Sequence, residues 1–150
     1  MKKKIAIIAA LLALAVTGLT VSAQTATTTV RYKADPSYMV TIPTQVEIPF
    51  NQLTWNYGTI SIDKLLLDEG QSIQIKLDSD GKLKNQENPN SVIPYQVLSN
   101  GEPFISQKYT TAGVETPLTI SILQKDWDQA AGGTYTASVI FDISIVSLDQ

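Results

Sequence analysis

From residue 24 to its end the chain alternates apolar and polar side chains with a period of two, and no other feature limits its fold as tightly. The clearest case is the last segment, where Tyr135, Ala137, Val139, Phe141, Ile143 and Ile145 alternate with Thr136, Ser138, Ile140, Asp142 and Ser144. Successive strand side chains point to opposite faces, so this pattern predicts a half-buried strand with one core face. It predicts a single long strand, with Gly132-Gly133 supplying the turn before it.

The same period recurs upstream. Val30 and Tyr32 mark a first strand in a Thr-rich stretch, where β-branched residues favour extended backbone. Tyr38, Val40 and Ile42 form another, ended by Pro43, and Val46-Ile48-Phe50 and Ile60-Ile62 are shorter candidates. Ile73, Ile75 and Leu77 alternate with Gln74 and Lys76, and Leu118, Ile120 and Ile122 with Thr119 and Ser121. Tyr95 and Val97 lead into Asn100-Gly101, a strong hairpin signal because both residues tolerate positive φ, and Phe104 begins the return strand. The helical signal is one turn at residues 63–67, with Asp63 as N-cap and Gly70 as the stop. Short strands separated by turns, with long loops at residues 83–91 and 107–117, predict an all-β fold. The expected architecture is an immunoglobulin-like antiparallel β-sandwich of about seven to nine strands, in a single domain over residues 24–150.

Residues 1–23 follow a different rule. Lys2, Lys3 and Lys4 form a positive head, residues 5–16 carry no polar side chain, and Val21-Ser22-Ala23 places small residues before Gln24. That layout predicts a signal peptide cleaved between Ala23 and Gln24. The apolar run is shorter than the roughly 20 residues that span a bilayer, so no membrane span is expected after cleavage. The whole chain has net charge 11 − 14 = −3, and loss of three lysines leaves 8 − 14 = −6. With no basic run, nucleic acid is not an expected partner. The chain has neither cysteine nor histidine. Disulfides and thiolate metal sites are thereby excluded, and so is the usual neutral-pH proton shuttle. A Cys-free exported domain fits bacterial secretion, since small eukaryotic secreted domains usually carry disulfides.

The sequence from Asp126-Trp127-Asp128 through Ala131-Gly132-Gly133-Thr134-Tyr135-Thr136-Ala137 to Val139-Ile140-Phe141-Asp142-Ile143 resembles the closing strand of secreted immunoglobulin-like modules from Gram-positive bacteria. Ser37-Tyr38-Met39-Val40-Thr41-Ile42-Pro43 is similar to their opening strand. WxL-type cell-surface domains share such an ending, and pilin and spore-coat-U-like sandwiches have a similar one. The resemblance implies a sandwich fold and a surface setting. The Trp-x-Leu motif itself is absent, because the tryptophans stand in Trp55-Asn56-Tyr57 and Trp127-Asp128-Gln129.

Three groups of residues carry candidate chemistry. Asp78-Ser79-Asp80-Gly81 has the look of a calcium loop, but counting from Asp78 puts Gly81 at position 4 and Pro89 at position 12, where an EF-hand needs glycine at 6 and a carboxylate at 12. A tight turn is the better reading. Trp127 flanked by Asp126 and Asp128 is a candidate ligand contact, an aromatic platform for sugar, against the plainer reading of a Trp plugging one end of the core. Lys33 and Asp142 could form an isopeptide bond by position, yet both fall on the outward phase of their strands. No nucleophile motif is present and no histidine could activate one, so catalysis is not expected, nor any cofactor or metal. The expected role is a secreted, non-catalytic surface module, a structural or adhesive component of the cell envelope or extracellular matrix. Its partners would be a cell-wall or extracellular polymer or protein. The alternatives are a self-assembling pilus- or fibre-type subunit joined through edge strands, with residues 24–33 as a candidate donor strand, and a carbohydrate-binding module.

Overall fold

Alternation becomes strand in eleven places among the described residues, 31 and 33–148 of the computed structural model. The strands are β1 (Ser37–Thr41), β2 (Thr54–Leu66), β3 (Gln71–Asp78), β4 (Lys82–Asn85), β5 (Val92–Pro94), β6 (Gln96–Ser99), β7 (Glu102–Pro103), β8 (Ser106–Tyr109) and β9 (Glu115–Ser121). A short helix α1 (Gln124–Asp128) follows, then β10 (Tyr135–Thr136) and β11 (Ile140–Ser147). All pairings are antiparallel, in a five-stranded sheet ordered β1-β2-β9-β6-β7 and two three-stranded sheets, β11-β3-β8 and β10-β4-β5. The chain from Ala34 onward is one compact unit. It is an all-β, sandwich-like fold with more and shorter strands than the seven to nine expected. The predicted leader, its Ala23–Gln24 cleavage point and the first strand at Val30 and Tyr32 lie outside the described residues.

The core is where the inward phases of β2, β3 and β9 meet. Ile60, Ile62, Ile73 and Ile75 are fully buried, and Leu118 nearly so. Burying one such side chain contributes about 1.5–3 kcal/mol, so this isoleucine layer holds the five-stranded sheet and the β11-β3-β8 sheet together. Tyr57 of β2 stacks on Phe141 of β11 at 6.2 Å, a second link between the same sheets. The Asn100-Gly101 hairpin forms as expected, with Asn100 at φ 51° and Gly101 at φ 84°. Phe104 lies just past β7, buried, with its N–H on Val97 O at 2.9 Å.

Three expectations are corrected. The helical turn at residues 63–67 does not form, because β2 continues through it to Leu66. The Asp63 carboxylate, expected to cap a helix, instead accepts Thr41 Oγ1–H at 2.6 Å and Ser61 Oγ–H at 2.9 Å, which ties it across to β1. The helix stands at α1, where Leu123 occupies the N-cap without a side-chain bond, so no capping residue announces it. Finally, the predicted strand from Tyr135 to Ile145 is broken. Its first two residues pair with β4 in one sheet, and from Ile140 the chain pairs with β3 in another. A strand that changes sheets turns a corner of the sandwich while keeping its inward phase.

Candidate functional site

The break in the last strand is one wall of a groove of about 1120 Å³. Residues 130–139 form that wall, and residues 43–50 form the other. The second wall holds the predicted Val46-Ile48-Phe50 run, which forms no strand: Val46 and Ile48 keep the inward phase, but Phe50 lies in a turn and faces outward. Val46 and Ile48 turn toward the core, Gln45 and Glu47 are exposed, and Pro43 and Pro49 bracket the run. Proline has no N–H to give to a ladder, which keeps both ends of this stretch from being zipped into a sheet. Pro43 is held from beneath by Gly58, where φ is +127° and an added Cβ would lie 3.1 Å from the proline's Cβ. The floor is core: Ile93, Tyr95, Ile120 and Trp127.

The 130–139 wall is pinned at its first half by a polar network centred on Asn85, which is 2% exposed. Its amide Nδ2 donates to Gly132 O at 3.1 Å, and its Oδ1 accepts the N–H groups of Glu87 at 2.9 Å and Asn88 at 3.0 Å. Gln86 N–H reaches Thr134 O at 2.8 Å. Tyr135 Oη donates to Ala131 O at 2.9 Å and lies 2.6 Å from Ser91 Oγ. Ser91 Oγ also accepts Ala131 N–H at 3.4 Å, and with the one phenol proton given to Ala131 O, Ser91 Oγ–H is the donor to Tyr135 Oη. That bond, with lesser help from Asn85, sets the Tyr135 pKa below the ordinary tyrosine value. Gly133 fits only because it lacks a Cβ, which would sit 2.6 Å from Asn85 Nδ2. Residues 137–139 beyond β10 pair with no strand among the described residues.

At one end of the groove α1 lays Trp127 across the core. The indole is 8% exposed, its Nε1–H donates to Gln52 O at 2.9 Å, and Phe50 meets it edge-on at 5.4 Å. A sugar platform needs an open aromatic face, and this ring does not present one. Asp126 is half-buried, while Asp128 is exposed and accepts Gln124 Nε2–H at 2.9 Å. Phe50 is the ring turned outward, 75% exposed, with Leu53 and Leu123 also exposed beside it on chain segments joined by Ile122 N–H to Leu53 O.

The other sequence candidates resolve into local structure. Asp78-Ser79-Asp80-Gly81 is the β3–β4 turn. Gly81 takes φ +65°, Lys82 N–H bonds Asp80 Oδ1 at 3.1 Å, and Lys84 Nζ bonds Asp80 Oδ2 at 2.6 Å. The Lys84 contact, then the Lys82 amide, holds the Asp80 carboxyl below the usual range. Asp142 is exposed on β11, opposite Lys76 of β3. Periodicity does not announce the groove. Its signal in the sequence was the pair of prolines around an alternating stretch, together with the glycine pair before Tyr135.

No family model and no curated protein matches the chain. Among solved structures, a chain described as "Chaperone-tip adhesin complex is vital for synergistic activation of CFA/I fimbriae biogenesis" superposes on 71% of this chain and 42% of its own length, at 11% identity and TM-score 0.44. This chain thus spans less than half of that neighbour. The likeness is loose, and the fold described above stands on the pairing of this chain's own strands.

Proposed function

We propose that this protein is a secreted, non-catalytic surface module, a structural or adhesive component of a bacterial envelope or extracellular matrix. It works by taking an extended segment of a protein partner into the groove between residues 43–50 and 130–139. The groove carries this reading. Its floor is apolar core, and each of its walls includes chain that belongs to no strand and joins no sheet among the described residues. An extended peptide supplies both things such a cleft lacks, backbone hydrogen-bond partners and alternate side chains for the floor. The volume of about 1120 Å³ sits above the roughly 300–1,000 Å³ typical of small-molecule pockets. Its lining has one charged residue, Glu47, which suits an uncharged or weakly basic strand face.

A photo-reactive residue at exposed Gln45 tests the reading on cells that secrete the protein. The expected result is a crosslinked adduct in the cell-surface or medium fraction. Recovery of the chain only from cytosol, or uncrosslinked at the surface, overturns it.

A second reading, self-assembly into a fibre, is favoured by the strand edges. β11 is eight residues long, pairs with β3 along its whole length, and is at the edge of its sheet among the described residues. β1 is the edge of the larger sheet and exposes Tyr38 and Met39. Long edges with apolar side chains recruit further strands unless something blocks them.

A further inference from the structure

We infer that the occupant of the groove is the N-terminal segment, residues 24–33, of a second copy of this chain, so that copies join head to tail. The inference rests on the groove being a strand-accepting site, as proposed above, and names its partner. Three observations carry it.

The first is phase. Written as a strand, residues 24–33 put Ala26, Thr28, Val30 and Tyr32 on one face and Thr27, Thr29, Arg31 and Lys33 on the other. One face is uncharged and ends in two large apolar side chains, which suits a floor of Ile93, Tyr95, Ile120 and Trp127. The opposite face is polar and cationic, as the outside of an inserted strand must be.

The second is charge. Residues 24–33 carry +2 from Arg31 and Lys33, while residues 34–150 carry six lysines against fourteen acids, 6 − 14 = −8. Segment and body attract, whereas two bodies meeting through their flanks repel. Electrostatics thus favours an approach led by the segment.

The third is reach. The groove begins at Pro43, six residues beyond the start of β1 at Ser37. At about 3.3 Å per residue, a segment returning to its own groove would retrace about 20 Å and use up roughly half of residues 24–36. The segment of a second copy enters at full length. A contact between two different surfaces of identical chains does not close on itself in the general case, and it generates an open filament.

Sedimentation of the exported chain, purified after cleavage, tests this with two variants. In V30D/Y32D the segment carries charge into the apolar floor. In A137W an indole fills the groove at an exposed position of its wall. The parent is expected to gain mass steadily with concentration, beyond a dimer. Each variant alone is expected to remain monomeric with a native circular dichroism spectrum. Mixed, they should form a complex that stops at one copy of each, because only one segment and one groove are intact. V30D/Y32D assembling like the parent, or a parent monomeric at every concentration, overturns the inference. Should A137W fail to fold, V30D/Y32D alone still decides whether the segment is required. A monomeric parent whose melting temperature falls on V30D/Y32D substitution identifies its own segment as the occupant, and this too overturns the second-copy assignment. The Gln45 crosslink separates this failure from that of the broader reading. An adduct with a different protein removes the inference and leaves the groove a binding site, and no adduct at all removes both.

Discussion

β2 and β9 run side by side through two unlike halves of the molecule. Where Ile60 and Ile62 of β2 lie near Thr116 and Leu118 of β9, the inward side chains are sealed beneath β3 and β8. Even the polar groups are closed in there, with Tyr109 Oη and Thr116 Oγ1 2.9 Å apart. Further along, where Trp55 pairs with Ile120, the same strands floor the groove, and the covering layer is residues 43–50 and 130–139. One half is complete within a single chain. The other has a floor, walls and no inserted strand among the described residues. Identical strand pairing therefore gives a stabilising half and a half able to bind, and the difference lies in what covers it.

The sharpest way to break this comparison is to cut equal side chains in the two halves. Ile62→Ala in the sealed half should cost about 2–5 kcal/mol, because a fully buried side chain leaves a cavity that its neighbours cannot fill. Ile48→Ala in the groove wall should cost about 1 kcal/mol, since the side chain is only half-buried and the groove can relax. Urea unfolding of the two variants measures both. Equal losses would mean that the groove half is as tightly sealed as the isoleucine layer.

Next in size is the pinned wall. Asn85→Ala removes the amide that holds Gly132 O and orphans the N–H groups of Glu87 and Asn88, at a cost of about 1–3 kcal/mol. Gly133→Ala should behave similarly, because the new methyl meets Asn85 Nδ2 at 2.6 Å and φ is +134°. In both variants the Gln86 amide, bonded to Thr134 O at 2.8 Å, should exchange its hydrogen faster, whereas the Ile75 amide in the sealed half should change only with global stability. Uniform acceleration across both halves would show that the wall is not a separate unit. A smaller effect belongs to Phe50→Ala. Its edge-on contact with Trp127 should be worth about 0.5–1.5 kcal/mol, and in a Trp55→Phe background its loss should raise acrylamide quenching of the remaining indole.

The sealed half was legible from periodicity alone. Ile73, Ile75, Leu118 and the Asn100-Gly101 hairpin stand where their spacing put them, because a two-residue period has one way to bury an apolar face. The groove half was not, and the reason is the same rule. Residues 46–50 and 135–145 carry the strand period, but periodicity reports which side chains face inward and is silent on which backbone finds a partner. Pro43, Pro49 and the change of sheet after Thr136 decide that, and the last depends on contacts distant in sequence. Trp127 is buried in the structure, and its helix carries no signal in the sequence because Leu123 offers no cap.

The last test is on the rim of the sealed half, at Asp63. The Thr41 hydroxyl, and after it the Ser61 hydroxyl, donate to its carboxylate and hold its pKa below the ordinary 3.8. A carboxyl whose folded pKa is depressed binds protons less readily in the native state than in the unfolded one. Its contribution to stability is therefore present above the unfolded pKa and is lost as pH falls through the folded value. The side chain is exposed and water screens it, so the effect is the smallest of the set. Melting temperatures of the parent and Asp63→Asn should differ by a constant amount from about pH 7 down to about pH 5 and converge below the ordinary carboxyl pKa. The same convergence should vanish when Thr41→Val already removes the main donor. Since Thr41 is on β1 and Ser61 and Asp63 are on β2, the absence of a gap at neutral pH would mean that the β1 edge is held by packing of Val40 and not by this carboxylate.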